Sequence, residues 1–228
     1  MIAAWHRRDA GRRLVRMIAV AALSAVPGAP TAQPARQLLP VDEAARDPSF
    51  FAFRAQLLTA VARRDAGAIL AVVHPDIKNS FGGDQGLDEF KSTWRLDRAE
   101  SEFWAEFGET LALGGAFQGP DGFVAPYTFT RWPNGLDAFE HVVATSGGVP
   151  ARAEARDEAA VLATLDFSIV RIGKAGYGGD PQGWQQIALA DGRQAYVRVS
   201  SVRSPIDYRA YFVRRDGRWR LMMFLAGD

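Results

Sequence analysis

Four side chains in the last quarter of the sequence offer binding chemistry: Tyr177, Trp184, Arg193 and Tyr196. Aromatic rings present apolar faces with a polar handle, and a guanidinium fork matches carboxylates and phosphates. Brought onto one surface, they would make an aromatic platform with a cationic edge, suited to a sugar ring or an anionic polymer. Trp184 alternates with apolar residues and reads as core, whereas Tyr177 sits in the glycine-rich run 173–183 and reads as exposed. Further cations follow at Arg198, Arg203, Arg209, Arg214, Arg215, Arg218 and Arg220. They suit anionic wall glycan or lipid headgroups, but charge on a hairpin edge also blocks unwanted strand addition, and that reading is preferred.

Catalytic chemistry is sparse. His6 falls in a leader-like segment, His74 precedes a proline where it would cap helix carbonyls, and His141 has no second ligand at a metal-binding interval. The sequence contains no nucleophile elbow, phosphate loop or dinucleotide fingerprint. Asp88, Glu89, Asp97, Glu100, Glu102, Glu106 and Glu109 read as a solvated helical face, not as paired carboxylates. With no cysteine there is no disulfide, thiol nucleophile or thiolate metal site. The expectation is no catalytic residue, no metal and no cofactor.

Five arginines and one aspartate lie in residues 1–32, so the remainder carries 22 cations against 25 anions. That balance argues against nucleic acid as a partner. Arg7 to Arg16 precede the apolar run Met17–Val26, then Pro27-Gly28 and small residues to Ala32. A basic region, a short apolar stretch and a small-residue exit are the parts of a secretory signal peptide, and the run is too short for a membrane span. Residues 1–32 therefore read as a leader cleaved after Ala32, by either export route, and residues 33–47 as a linker. The mature protein is expected to be periplasmic or secreted.

Helical periodicity covers Ser49 to Val73, with Asp47-Pro48 as cap and first-turn proline, a break at 65–67, and an end at His74-Pro75. Ile77–Phe81 reads as a short strand. Leu87, Phe90 and Trp94 mark a third helix with Asp84 as its cap, and Phe103, Trp104, Phe107 and Leu111 a fourth. Residues 123–132 read as a strand that Pro126 confines to an edge or bulge. The order of these elements, with Ala62-Arg63-Arg64-Asp65-Ala66 and His74-Pro75-Asp76-Ile77, resembles the nuclear-transport-factor-2-like α+β fold. That resemblance implies a pocket, which Asp76, Lys78, Tyr127 and His74 would line.

Two Asp-Gly pairs sit between strand-like runs, at Asp191-Gly192 and Asp216-Gly217, and mark hairpins. The first lies in Gly183-Trp184-Gln185-Gln186-Ile187-Ala188-Leu189-Ala190-Asp191-Gly192-Arg193-Gln194-Ala195-Tyr196-Val197, which resembles the closing strands of bacterial Src-homology-3-type domains. The resemblance extends over about 141–204, with strands at 140–144, 149–153, 159–165 and 168–172, and implies a small β-barrel of an exported protein. The second hairpin, Tyr208–Leu225, pairs Phe212 with Leu221, Ala210 with Met223 and Tyr208 with Leu225 if its turn has two residues. Its apolar face needs a surface to bury, so it is expected beside 123–132 and against the first helix.

The sequence thus predicts an α+β domain (48–140), an inserted Src-homology-3-like barrel (141–204) and a returning hairpin (205–228). The function expected is non-enzymatic binding of cell-wall glycan or peptide, or of another envelope protein, through Tyr177, Tyr196, Arg193 and Trp184. The alternative is a small-molecule-binding protein or enzyme with a nuclear-transport-factor-2-like pocket.

Overall fold

Asp47 starts the first helix as its residue type requires. Its carboxylate accepts from the backbone N–H groups of Ser49 (2.8 Å) and Phe50 (3.1 Å), opening α1 (Pro48–Arg63). The computed structural model describes residues 36–174 and 176–227. The leader expected over 1–32 and the start of the linker lie outside the described residues. The fold is α+β, with five α-helices and twelve strands among the described residues.

After α1 come α2 (Ala66–Leu70), β1 (Val73–Lys78), α3 (Leu87–Trp94), α4 (Phe103–Ala112), β2 (Ala116–Phe117), β3 (Gly122–Ala125) and α5 (Tyr127–Thr130). Then follow β4 (His141–Ala144), β5 (Val149–Arg152), β6 (Val161–Leu165), β7 (Ile169–Ile172), β8 (Trp184–Ala188), β9 (Gln194–Arg198), β10 (Val202–Arg203), β11 (Arg209–Arg215) and β12 (Arg218–Leu225). One sheet runs β1-β12-β11-β3-β2 and the other β10-β4-β7-β8-β9-β5-β6. Every strand of the second sheet lies between β3 and β11 in the chain.

The five-stranded sheet buries one face against the helices. Phe50, Phe103, Phe107, Phe123, Phe212 and Phe224 are all at most 1% exposed, so ring packing fills the space where a cone pocket would lie. Phe50 sits 4.1 Å from Phe123 and 5.6 Å from Phe212, centroid to centroid. β11 lies beside β3, with Ala210 opposite Ala125 and Phe212 opposite Phe123. Its turn to β12 has two residues of positive φ, Asp216 (49°) and Gly217 (69°), as a two-residue hairpin turn demands.

Several local expectations are corrected. His74-Pro75 lies inside β1 and does not end a helix; β1 is an edge strand, where a residue lacking an N–H is tolerated. His74 accepts from the Asp76 backbone N–H (3.1 Å) and caps no helix. The cap position of α3 is Gly86, whereas Asp84 binds the Ser80 hydroxyl (2.9 Å). The strand read over 123–132 stops at Ala125, and α5 follows Pro126. A bulge in β12 pairs Ala210 with Phe224 and Tyr211 with Met223, which buries Phe224 in place of Met223. The turn at Asp191-Gly192 is wider than two residues. Leu189 N–H bonds the Arg193 carbonyl (2.9 Å), and of Asp191 and Gly192 only the glycine takes positive φ, 84°.

The seven-stranded sheet ends in β10 and β6 with no ladder joining them among the described residues, so the expected closed barrel is not found. The supposed linker is also built in from its fourth residue. Leu38 N–H bonds Phe167 O (2.8 Å), Ile169 N–H bonds Arg36 O (2.7 Å), and Leu38 is buried.

Asp47 also ties α1 to β11, because its second oxygen accepts from Arg214 Nη1 at 2.9 Å. Asp47→Ala is expected to cost about 1–2 kcal/mol. Its carboxyl is held below its ordinary value of 3.8, chiefly by the Ser49 hydroxyl, so its contribution is complete above 3.8 and lost as pH falls through the lower folded-state value. Urea melts at about pH 7 and about pH 3 should therefore show the wild-type advantage shrinking in acid.

Candidate functional site

A crevice of about 890 Å³ opens on the seven-stranded sheet. It takes three consecutive residues of β6 (163–165), then Ser168 to Arg171 of β7, then Ala188 to Asp191 and Arg193 of the β8–β9 hairpin, and no residue of β5. A ligand lying over a sheet face would meet alternate residues. On β6, which ends the sheet, consecutive lining residues fit an approach along its edge, whereas β7 lies inside the sheet.

Its lining combines apolar Leu165, Ile169 and Leu189 with Arg36, Arg171, Arg193, Asp191 and His141. Strand register sets Arg171 opposite His141 on one side and Ala188 on the other. Arg171 holds Glu140 (2.8 Å) and Arg193 holds Asp191 (2.7 Å), both pairs being solvent-exposed. Such pairs contribute little and exchange readily for a ligand carboxylate. The His141 Nδ1 lies 2.9 Å from the Asp137 carbonyl oxygen.

Of the four residues expected to bind, Arg193 lines this crevice. Tyr196 and Trp184 share the sheet face that carries Arg171, by the pairings Tyr196–Gln186, Trp184–Arg198 and Ala188–Arg171. Trp184 is buried at 4% exposure, yet it lies outside the apolar cluster of this sheet and is covered by the Arg198 guanidinium, 4.1 Å from the ring centroid. The Tyr196 hydroxyl oxygen accepts from Gln186 Nε2 at 3.2 Å. Tyr177 is 41% exposed, but its hydroxyl donates to Asp207 (2.8 Å) and accepts from Ser204 N–H (3.4 Å). Burial of that end, with Asp207 beside it, raises the phenol's pKa. The four residues thus do not converge as one platform.

Arg36, Arg171 and His141 were not singled out for this role. A charged residue in the apolar run Ile169-Val-Arg-Ile was a usable signal for Arg171; nothing local marked Arg36.

The residues that would line the alternative pocket do not share a cleft. Asp76 is exposed at the β1 edge, Lys78 Nζ stands 4.9 Å from the Phe81 ring centroid, and Tyr127 is fully buried with Leu38, Val143 and Ile169. Burial raises the Tyr127 phenol's pKa. A smaller cavity of about 310 Å³ does open on the other face of the five-stranded sheet, between Phe81, Phe129, Tyr211 and Met223. No described helix is long and apolar enough to cross a membrane. No protein-family model matches the chain, and no curated protein sequence matches it.

Proposed function

We propose that this is an exported, non-enzymatic binding protein of the bacterial envelope, whose seven-stranded unit is a Src-homology-3-type module carrying the ligand site. Cell-wall material or another envelope protein is its ligand. The observation that carries the reading is the crevice, whose lining combines apolar side chains with Arg36, Arg171 and Arg193. Wall peptides and acidic protein segments both combine carboxylates with small apolar side chains, and a guanidinium fork is the group that recognises the former. The filled aromatic core of the five-stranded sheet supports a scaffold role for that half.

The test is retention of the mature protein on purified sacculi and on immobilised envelope extract. Arg171→Gln with Arg193→Gln, both at exposed positions, should weaken retention about tenfold while leaving the melt unchanged. Retention on neither material sinks the reading. Export is checked in the same cells: the protein should fractionate with the periplasm and begin near Gln33, and a cytoplasmic product retaining Met1 overturns that part.

A further inference from the structure

Four strands end the two sheets, and three of them are very short or bear a proline and a charge, which hinders strand addition. β1 contains Pro75 and Lys78, while β2 and β10 are two residues long. Short, charged or proline-bearing edges are the usual protection. β6 differs. Its five residues, Val161-Leu162-Ala163-Thr164-Leu165, include no charge and no proline, and Val161 is 51% exposed.

A bulge interrupts the pairing with β5 between Val161 and Ala163, which leaves 163–165 as the regular part. Those same three residues form one wall of the crevice. In an antiparallel strand every second residue turns its N–H and C=O away from its partner. As the end of its sheet β6 has a side without a ladder among the described residues, and its residues 163–165 line the crevice together with Arg171 and Arg193.

We propose that the open edge of β6 docks an extended acidic segment of a partner protein as an added strand. Its apolar side chains would meet the apolar part of the crevice lining, and its carboxylates would displace Glu140 and Asp191 from Arg171 and Arg193. Charge complementarity selects the acidic partner, and the free ladder selects an extended backbone. At about 3.3 Å per residue, the regular part of β6 (163–165) spans about 10 Å and takes about three residues of partner. The inference rests on the crevice being the binding site, and it chooses the protein ligand over the wall.

The test uses the purified full chain and a labelled peptide of alternating Val and Asp, read by fluorescence anisotropy. Two control peptides replace Asp by Lys or carry N-methyl groups on alternate backbone nitrogens. The acidic peptide should bind at least about tenfold tighter than either control, and should slow amide exchange at 161–165. Arg171→Gln with Arg193→Gln should cost about tenfold in affinity with an unchanged melt. Equal binding of the Lys or N-methyl peptide overturns the proposal, as does unchanged exchange at 161–165. Self-association of the chain through β6 would make a second copy the occupant and overturns it too. Binding of sacculus fragments without binding of the peptide overturns it while leaving the broader reading intact. Peptide binding with no retention on wall or envelope material does the reverse.

Discussion

A chain ending at Ser204 will lose the cooperative unfolding of the five-stranded sheet. Among the described residues β12 is the only strand paired with β1, and β11 joins β12 to β3, so removing the hairpin leaves one strand alone and a short β2–β3 pair. Phe212, Trp219, Leu221 and Phe224 leave the core with it, each at most 6% exposed. Burying such side chains contributes about 1.5–3 kcal/mol apiece, so the loss is on the order of 10 kcal/mol. Whole domains are stable by only about 5–15 kcal/mol. The helices would then expose Phe50, Phe103 and Phe107 and favour aggregation.

Among the described residues, strands β4 to β10 form ladders only with one another. Amide-exchange protection over 141–203 should therefore persist in the truncated chain while that of the rest collapses. A truncated chain that melts like the full-length one would show that the hairpin is dispensable to the first sheet.

The hairpin itself was legible because Asp216-Gly217 fits a turn needing two positive φ angles, and alternation marks Phe212, Trp219 and Leu221. Its register past Leu221 was not. Leu221-Met222-Met223-Phe224-Leu225 is apolar throughout, so no alternation locates the bulge. Pro126 could end a strand or open a helix, and the choice depends on what packs beyond Ala125. The strands of the second sheet could be read from their short apolar runs and glycine turns, but their order could not. That β6 ends the sheet is a property of long-range pairing, and the crevice follows from that order. Arg36 entered the site from a segment whose Pro-containing, small-residue composition looks like a tether; its pairing with 167–169 appears only once β7 is placed.

Arg203→Ala is expected to destabilise the protein by about 3 kcal/mol, the second largest effect foreseen here. Arg203 is 2% exposed, and in sequence it was one cation among several on a supposed hairpin edge. It bonds Glu109 of α4 (2.9 Å), the Tyr208 carbonyl (2.9 Å) and the Thr110 hydroxyl (3.2 Å), linking β10 to α4 and to the start of the returning hairpin. Glu109 is half exposed and can turn to water, which keeps the cost below that of a fully buried broken pair. The Tyr208 carbonyl and the lost stem packing supply most of it. Arg203→Met restores the stem and should recover about half, separating packing from charge.

The pH dependence identifies the electrostatic part. Burial raises the Glu106 carboxyl's pKa above 4.5, Asp207 adds to this, and Arg203 opposes both. A carboxyl raised on folding contributes stability that is complete below its unfolded value and lost as pH rises through its folded one. Without Arg203 that folded value climbs further, so Arg203→Ala should regain part of its deficit between about pH 7 and about pH 5. Urea midpoints measured across that range for both variants and the parent decide the matter. A deficit that is flat with pH would show that Arg203 acts through packing and its bonds to neutral groups, not through Glu106, and Glu106→Gln in the Arg203→Ala background would then restore nothing.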